Sequence, residues 1–154
     1  MGIAALITWL LTAAGGIYMF SVWIAKGGLH RPTGSRFPAP LIFGHLVLAV
    51  IGLVLWIIYL VTDNDGLAWA AFIVLLPVAL LGFVMLVRWI PTFQTRQHAA
   101  SAATEPRPQP VSAPAGQATA AEQHFPVAVV AGHGVFAVAT VILVLLTALG
   151  IGGS

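Results

Sequence analysis

The chain has 154 residues, 60% hydrophobic and only 6% charged, with a mean hydropathy of +1.02. A soluble domain carries about a quarter charged residues, so this chain cannot cover a water-facing surface and is expected to lie in a lipid bilayer as an integral membrane protein. The net charge of +2 comes from a few scattered basic residues and does not point to nucleic acid, and the absence of cysteine excludes disulfides, thiolate metal sites, iron–sulfur clusters and cysteine nucleophiles.

Residues 3–25 are apolar and uncharged. At about 1.5 Å per residue they span a hydrocarbon core of about 30 Å. They lack the basic n-region of a signal peptide and are expected to form the first transmembrane helix. Gly15 and Gly16 sit mid-span, where small residues let helices approach closely. A polar loop follows with Lys26, His30, Arg31 and Arg36. Pro38 and Pro40 start a second span over 40–62, because proline is tolerated in a first helical turn. Asp63-Asn64-Asp65-Gly66 reads as a turn. A third span covers 67–90, with Pro77 expected to kink it, since its missing N–H frees the carbonyl of Ile73. Gly82 lies on a nearby turn. Residues 92–124 are rich in Ala, Pro, Gln, Ser and Thr, which cannot bury a core, and are expected to be a disordered linker. A fourth span covers 126–151. The expected fold is an all-α four-transmembrane-helix bundle forming one domain over residues 1–154.

All six basic residues fall on one side of this scheme: Lys26, Arg31, Arg36, Arg88, Arg96 and Arg107. The positive-inside rule then places the 26–39 loop and the 92–124 linker in the cytoplasm and both termini outside a plasma membrane of bacterial type.

The second and fourth spans repeat one motif. Residues 37–50 read FPAPLIFGHLVLAV, and residues 125–138 read FPVAVVAGHGVFAV. The two copies share F-P-x5-G-H-x-V-x-A-V, seven identities in 14 positions. The first and third spans share only Trp23-Ile24 and Trp89-Ile90. Two hairpins, first-with-second and third-with-fourth, are therefore expected to be related by an axis along the membrane normal. His45 and His133 each lie seven residues after the motif proline, at matching depth. An imidazole facing lipid is costly, so both should face the bundle interior.

Two neutral imidazoles on facing helices suit the axial positions of a haem b iron, which makes His45 and His133 the candidate metal ligands. Gly44 and Gly132 beside them would open a slot for the flat porphyrin. Arg31 and Arg36, with Lys26, Arg88 and Arg96, are the cations available to its propionates. The arrangement resembles four-helix membrane b-type cytochromes, including the anchor subunits of succinate dehydrogenases, in architecture and in the histidine pair alone. The resemblance implies a subunit exchanging electrons with quinone or a partner membrane oxidoreductase rather than a stand-alone enzyme. Two alternatives stay open. In a cofactor-free accessory or scaffold protein, the histidines would bond across the bundle to each other, to Thr140 or to Tyr59, with the second and fourth spans packed together. A small transporter would need these four spans to form a homo-oligomer, and no span carries an acidic residue to couple to an ion.

The charge asymmetry generates a direct test of orientation. Cysteine introduced at Asn64 should be labelled by an impermeant thiol reagent added outside intact cells. Cysteine at Ala113 should be labelled only after the membrane is opened. The opposite pattern would invert the topology.

Overall fold

The computed structural model describes residues 1–29, 35, 37–102 and 120–151. Among these residues there are four α-helices: α1 (Gly2–Ala25), α2 (Ala39–Thr62), α3 (Asp65–Ala102) and α4 (Val127–Ala148). A 3₁₀ turn, Ala121–His124, precedes α4. All four helices contain a segment long and apolar enough to cross a bilayer. Large side chains such as Val61, Leu80, Phe83, Val135 and Val138 stand exposed on the outside of the bundle. That is the expected surface of helices solvated by acyl chains, where the apolar face need not be turned inward.

The helix ends follow from local chemistry. Pro38 and Pro126 are the N-caps of α2 and α4, with nearly the same backbone, φ −60 ψ 132 and φ −66 ψ 128. The motif proline thus stands just outside each helix, where its missing N–H costs nothing. Helix α1 closes with Gly27 at φ 79: Gly28 N–H donates to Trp23 O at 2.8 Å and Gly27 N–H to Ile24 O at 2.9 Å. Gly150 at φ 72 closes α4 by the same pair of bonds, onto Leu146 and Thr147. Only glycine adopts this left-handed conformation without strain, so each glycine fixes where its helix stops. The turn between α2 and α3 is shorter than expected. Asp63 caps α2 in the left-handed region, and α3 already begins at Asp65.

The third helix also runs further than residues 67–90. It carries Pro77 and Pro91 inside it and continues to Ala102. One proline removes one backbone bond, whereas the following Gln94, Arg96, Gln97 and Ala99 are good helix formers. The expected disordered linker is therefore helical at its start. Its last residues, Ala120 to Phe125, pack against the bundle. Residues 103–119 lie outside the described residues.

The helices form a ring in the order α1, α2, α3, α4. The closest pairs are α2 with α3 and α1 with α4, while α2 and α4 face each other across the ring, as do α1 and α3. The ring has an internal two-fold relation. Residues of α1 correspond to residues 66 positions later in α3, and residues of α2 to residues 88 positions later in α4. Buried positions coincide under this rule: Ala5 with Ala71, Trp9 with Leu75, Trp23 with Trp89, Phe37 with Phe125, Gly52 with Thr140, and Trp56 with Val144. Met19 and Gly16 likewise meet Met85 and Gly82. The faint likeness of the first and third spans is thus a full register, with identities at inward positions such as Ala5/Ala71 and Trp23/Trp89 and at outward ones such as Ile7/Ile73 and Leu10/Leu76.

Two buried clusters hold the ends. At the aspartate end, Trp9 and Trp56 fill the centre with Ala5, Ala71, Leu75 and Val144. Trp56 Nε1 donates to Gly2 O at 3.2 Å. At the tryptophan end, Trp23, Phe37, Trp89, Ala121 and Phe125 close the bundle. Trp89 Nε1 donates to Glu122 O at 3.2 Å, and Trp23 Nε1 to Ser35 Oγ at 3.0 Å. The Ser35 hydroxyl in turn donates to Glu122 Oε2 at 3.1 Å.

Close packing around Gly52 sets a stability test. A Cβ there would stand 3.1 Å from the Trp9 indole. Gly52→Leu should destabilise the bundle by about 1–3 kcal/mol through overpacking. Gly134→Leu, where a Cβ meets nothing within 4 Å, should be nearly neutral. Thermal unfolding in detergent, followed by tryptophan fluorescence, compares the two.

Candidate functional site

Between the two buried clusters the bundle contains the histidine pair. The two imidazoles reach inward from α2 and α4, and their ring centroids are 6.4 Å apart with planes inclined by 53°. Both rings are partly buried. They approach each other across the ring, from two helices that are not closely paired.

Each ring is held in the same way. His45 Nδ1 lies 3.0 Å from Val78 O on α3. His133 Nδ1 lies 2.8 Å from Thr12 O on α1. A carbonyl can only accept, so Nδ1 must carry the proton in both rings, and the Nε2 lone pair of each neutral imidazole is left available. The two acceptors, Thr12 and Val78, are counterparts under the internal two-fold.

The acceptor carbonyls already take part in their own helices, and a second donor must approach from the side. A carbonyl of residue i points along the helix toward residue i+4, so a side chain at i+4 would stand in that path. Residue i+4 is Gly16 after Thr12 and Gly82 after Val78. A Cβ on Gly16 would lie 3.2 Å from His133 Cε1, and one on Gly82 would lie 3.3 Å from His45 Cε1. Gly15 adds room beside the His133 side chain, at 3.4 Å from its Cβ. The glycines that seat the imidazoles are therefore on the neighbouring helices.

Gly44 and Gly132 stand next to the two histidines in sequence. A Cβ on Gly44 would reach only Leu81 Cδ1 at 4.0 Å, and one on Gly132 would meet nothing within 4 Å. Space is thus open beside both. Arg31 and Arg36 lie outside the described residues, as does His30. His98 bonds to Gln94 O of its own helix, and His124 to Ala121 O, so neither joins the pair. Among the described residues no three His, Asp or Glu side chains converge as a metal shell. Thr140, once a candidate partner for the histidines, instead donates to Phe136 O at 2.7 Å, and its hydroxyl oxygen lies 3.0 Å from Thr8 Oγ1. Compared with protein-family models, with curated proteins and with solved structures, the chain matches none.

Sequence reasoning found both histidines and named Gly16 and Gly82 mid-span, but it did not connect those glycines to the imidazoles and it missed the carbonyls of Thr12 and Val78. The signal that finds them is a glycine four residues after an inward-facing position, repeated 66 residues apart.

This seat gives a spectroscopic prediction. Gly16→Val and Gly82→Val should push the imidazole off its carbonyl, removing the slowly exchanging Nδ1–H resonance of one histidine each in ¹⁵N-histidine NMR. Gly132→Val should leave both resonances in place.

Proposed function

We propose that the protein is a membrane b-type cytochrome-like subunit that binds one haem between His45 and His133 and exchanges electrons with quinone or a partner oxidoreductase. The observation that carries this reading is the paired imidazole geometry. A metal–imidazole bond is about 2 Å long and the ring centre lies about 1 Å behind the nitrogen, so two imidazoles in line on one metal have ring centres about 6 Å apart. The 6.4 Å separation fits that span.

The second feature in its support is the tautomer. Nδ1–H donation to a backbone carbonyl is the usual way a ligating histidine is oriented, and it makes the opposite nitrogen a better donor to iron. Here both rings have it, from counterpart carbonyls. Two histidines alone are an incomplete shell for a bare metal ion, whereas a porphyrin supplies the other four nitrogens itself. The open space beside Gly44 and Gly132 lies next to the ligands in sequence, on the helices that carry them.

Haem b bound there would supply a one-electron redox couple. The chain's own part is to hold both imidazoles in one protonation state and to surround them with apolar helices, which raises the cost of any change in local charge. The orientation read from the basic residues would place the histidines nearer the cytoplasmic face.

A cofactor-free scaffold remains the competing reading, and it rests on the same two bonds: each imidazole already has a hydrogen-bond partner without any ligand. An optical spectrum separates them. Protein purified from haem-replete cells should be coloured, hold one haem per chain, and show on reduction the narrow paired visible bands of six-coordinate low-spin iron. His45→Ala and His133→Ala should each give high-spin or haem-free protein, to similar degrees. His98→Ala should leave the spectrum unchanged. Colourless wild-type protein that is nevertheless folded would overturn the haem assignment.

A further inference from the structure

We infer that the middle of the bundle is also a site for one Cu(I) ion, held by His45 and His133 together with the thioethers of Met19 and Met85. This goes beyond the haem reading. Both occupants use the same Nε2 lone pairs, so haem and Cu(I) exclude each other in one chain.

Each helix of the ring supplies one of the four side chains, histidine from α2 and α4 and methionine from α1 and α3. The chain has three methionines. The two beyond the first residue, Met19 and Met85, are counterparts under the internal two-fold, as the histidines are. Thr12, Gly16 and Met19 are spaced i, i+4, i+7 on α1, and so are Val78, Gly82 and Met85 on α3. Such a spacing makes one stripe along a helix, and each imidazole lies along its stripe. His133 has Nδ1 at Thr12 O and Cε1 beside Gly16, and His45 has Nδ1 at Val78 O and Cε1 beside Gly82. The methionine is the next step in the same direction. A long side chain on a helix leans back toward the helix N-terminus, over the residues three and four before it. That brings Met19 over Gly16 and Met85 over Gly82, toward the ring edges that carry the unprotonated Nε2. Both methionines are half-buried and pack against the cluster at the tryptophan end.

The donor set selects the ion. Thioethers are soft ligands that favour Cu(I), and imidazole also suits copper. All four donors are neutral. The cost of an ion in a low-dielectric interior rises with the square of its charge, which favours a monovalent ion over Zn²⁺ or Fe²⁺. A filled d shell imposes no geometry of its own, so two imidazoles in line with thioethers closing from the sides satisfy Cu(I). The ring centroids, 6.4 Å apart, match that in-line span. Trp23 and Trp89 stand four residues beyond the two methionines, and packing on an indole is the other use of such a sulfur. Leucine conserves the volume and removes the sulfur, so it separates the two roles.

The test uses the full chain, produced in haem-limited cells and purified in detergent. It is titrated with Cu(I) under ascorbate against the chromophoric chelator bicinchoninate. The wild type should take one Cu(I) per chain from the chelator and retain no Zn²⁺. Met19→Leu with Met85→Leu should weaken Cu(I) binding about tenfold or more, and His45→Ala about a hundredfold. X-ray absorption at the copper edge should show nitrogen at about 2.0 Å and sulfur at about 2.3 Å. The sulfur shell should vanish in the leucine double variant, whose fold is checked by thermal unfolding. If that variant does not fold, the wild-type edge spectrum decides alone. Haem added to the same preparations reads the other occupant separately, and its colour should develop equally in the wild type and the leucine variant. Cu(I) uptake without haem colour would overturn the haem reading and leave the Cu(I) site standing, and colour without Cu(I) uptake would do the reverse. The Cu(I) site is also overturned by equal retention of Zn²⁺, by unchanged affinity in the folded leucine variant, or by a wild-type copper spectrum without sulfur.

Discussion

An imidazole inside an apolar helix bundle must find an acceptor for its N–H where there is no water to supply one. The remaining acceptors are backbone carbonyls already engaged in helices, whose second lone pair can be reached only from the side. That approach is open only where the residue four positions on has no side chain. His45 over Gly82 and His133 over Gly16 meet this condition, and the helix arrangement follows from it. Helix α2 must lie against α3 and α4 against α1, which leaves α2 and α4 facing each other across the ring. Packing α2 directly on α4 would bring the two imidazoles together but take both away from their carbonyls.

The internal two-fold makes the two histidine seats equivalent, but the halves are not identical. The α1–α4 pair carries Thr8, Thr12 and Thr140, with Thr140 bonded to Thr8. The counterparts in the α2–α3 pair are Val74, Val78 and Gly52. The repeat therefore preserves the backbone acceptor while allowing the side chain above it to vary, as expected if the carbonyl and not the side chain holds the ring. The same division holds at the tryptophan end. Trp23 and Trp89 both send their indole N–H into the segment preceding the motif Phe-Pro, yet one meets a serine hydroxyl and the other a backbone carbonyl.

Legibility in the sequence was uneven for physical reasons. Four apolar spans were legible because bilayer thickness sets helix length, and the observed helices lie close to the expected boundaries in three cases. The third ran long because composition-based disorder and helix propensity compete in Gln94–Ala102, and propensity prevailed once α3 provided a helix to extend. The burial of Glu122 was invisible. An isolated acidic residue in a Pro- and Ala-rich stretch reads as solvated, and only Trp23, Ser35 and Trp89, distant in sequence, make it a cap. Gly44 and Gly132 drew attention as sequence neighbours of the histidines. In a helix, however, adjacent residues point about 100° apart, so a neighbour in sequence is rarely a neighbour of the ring.

The sequence by itself determined the number of spans, the apolar outer surface, the repeat in the second and fourth helices and the two inward histidines. These depend on hydrophobic length and on the cost of exposing an imidazole to lipid, both local properties of a helix. The tertiary structure decided which helices are neighbours, the 6.4 Å between the imidazole rings, the carbonyls that set their tautomer, and the pairing of α1 with α3 under the two-fold. Those depend on side-to-side packing across the ring, where a glycine acts by what it lets another helix do, and a sequence read one helix at a time does not contain that partner.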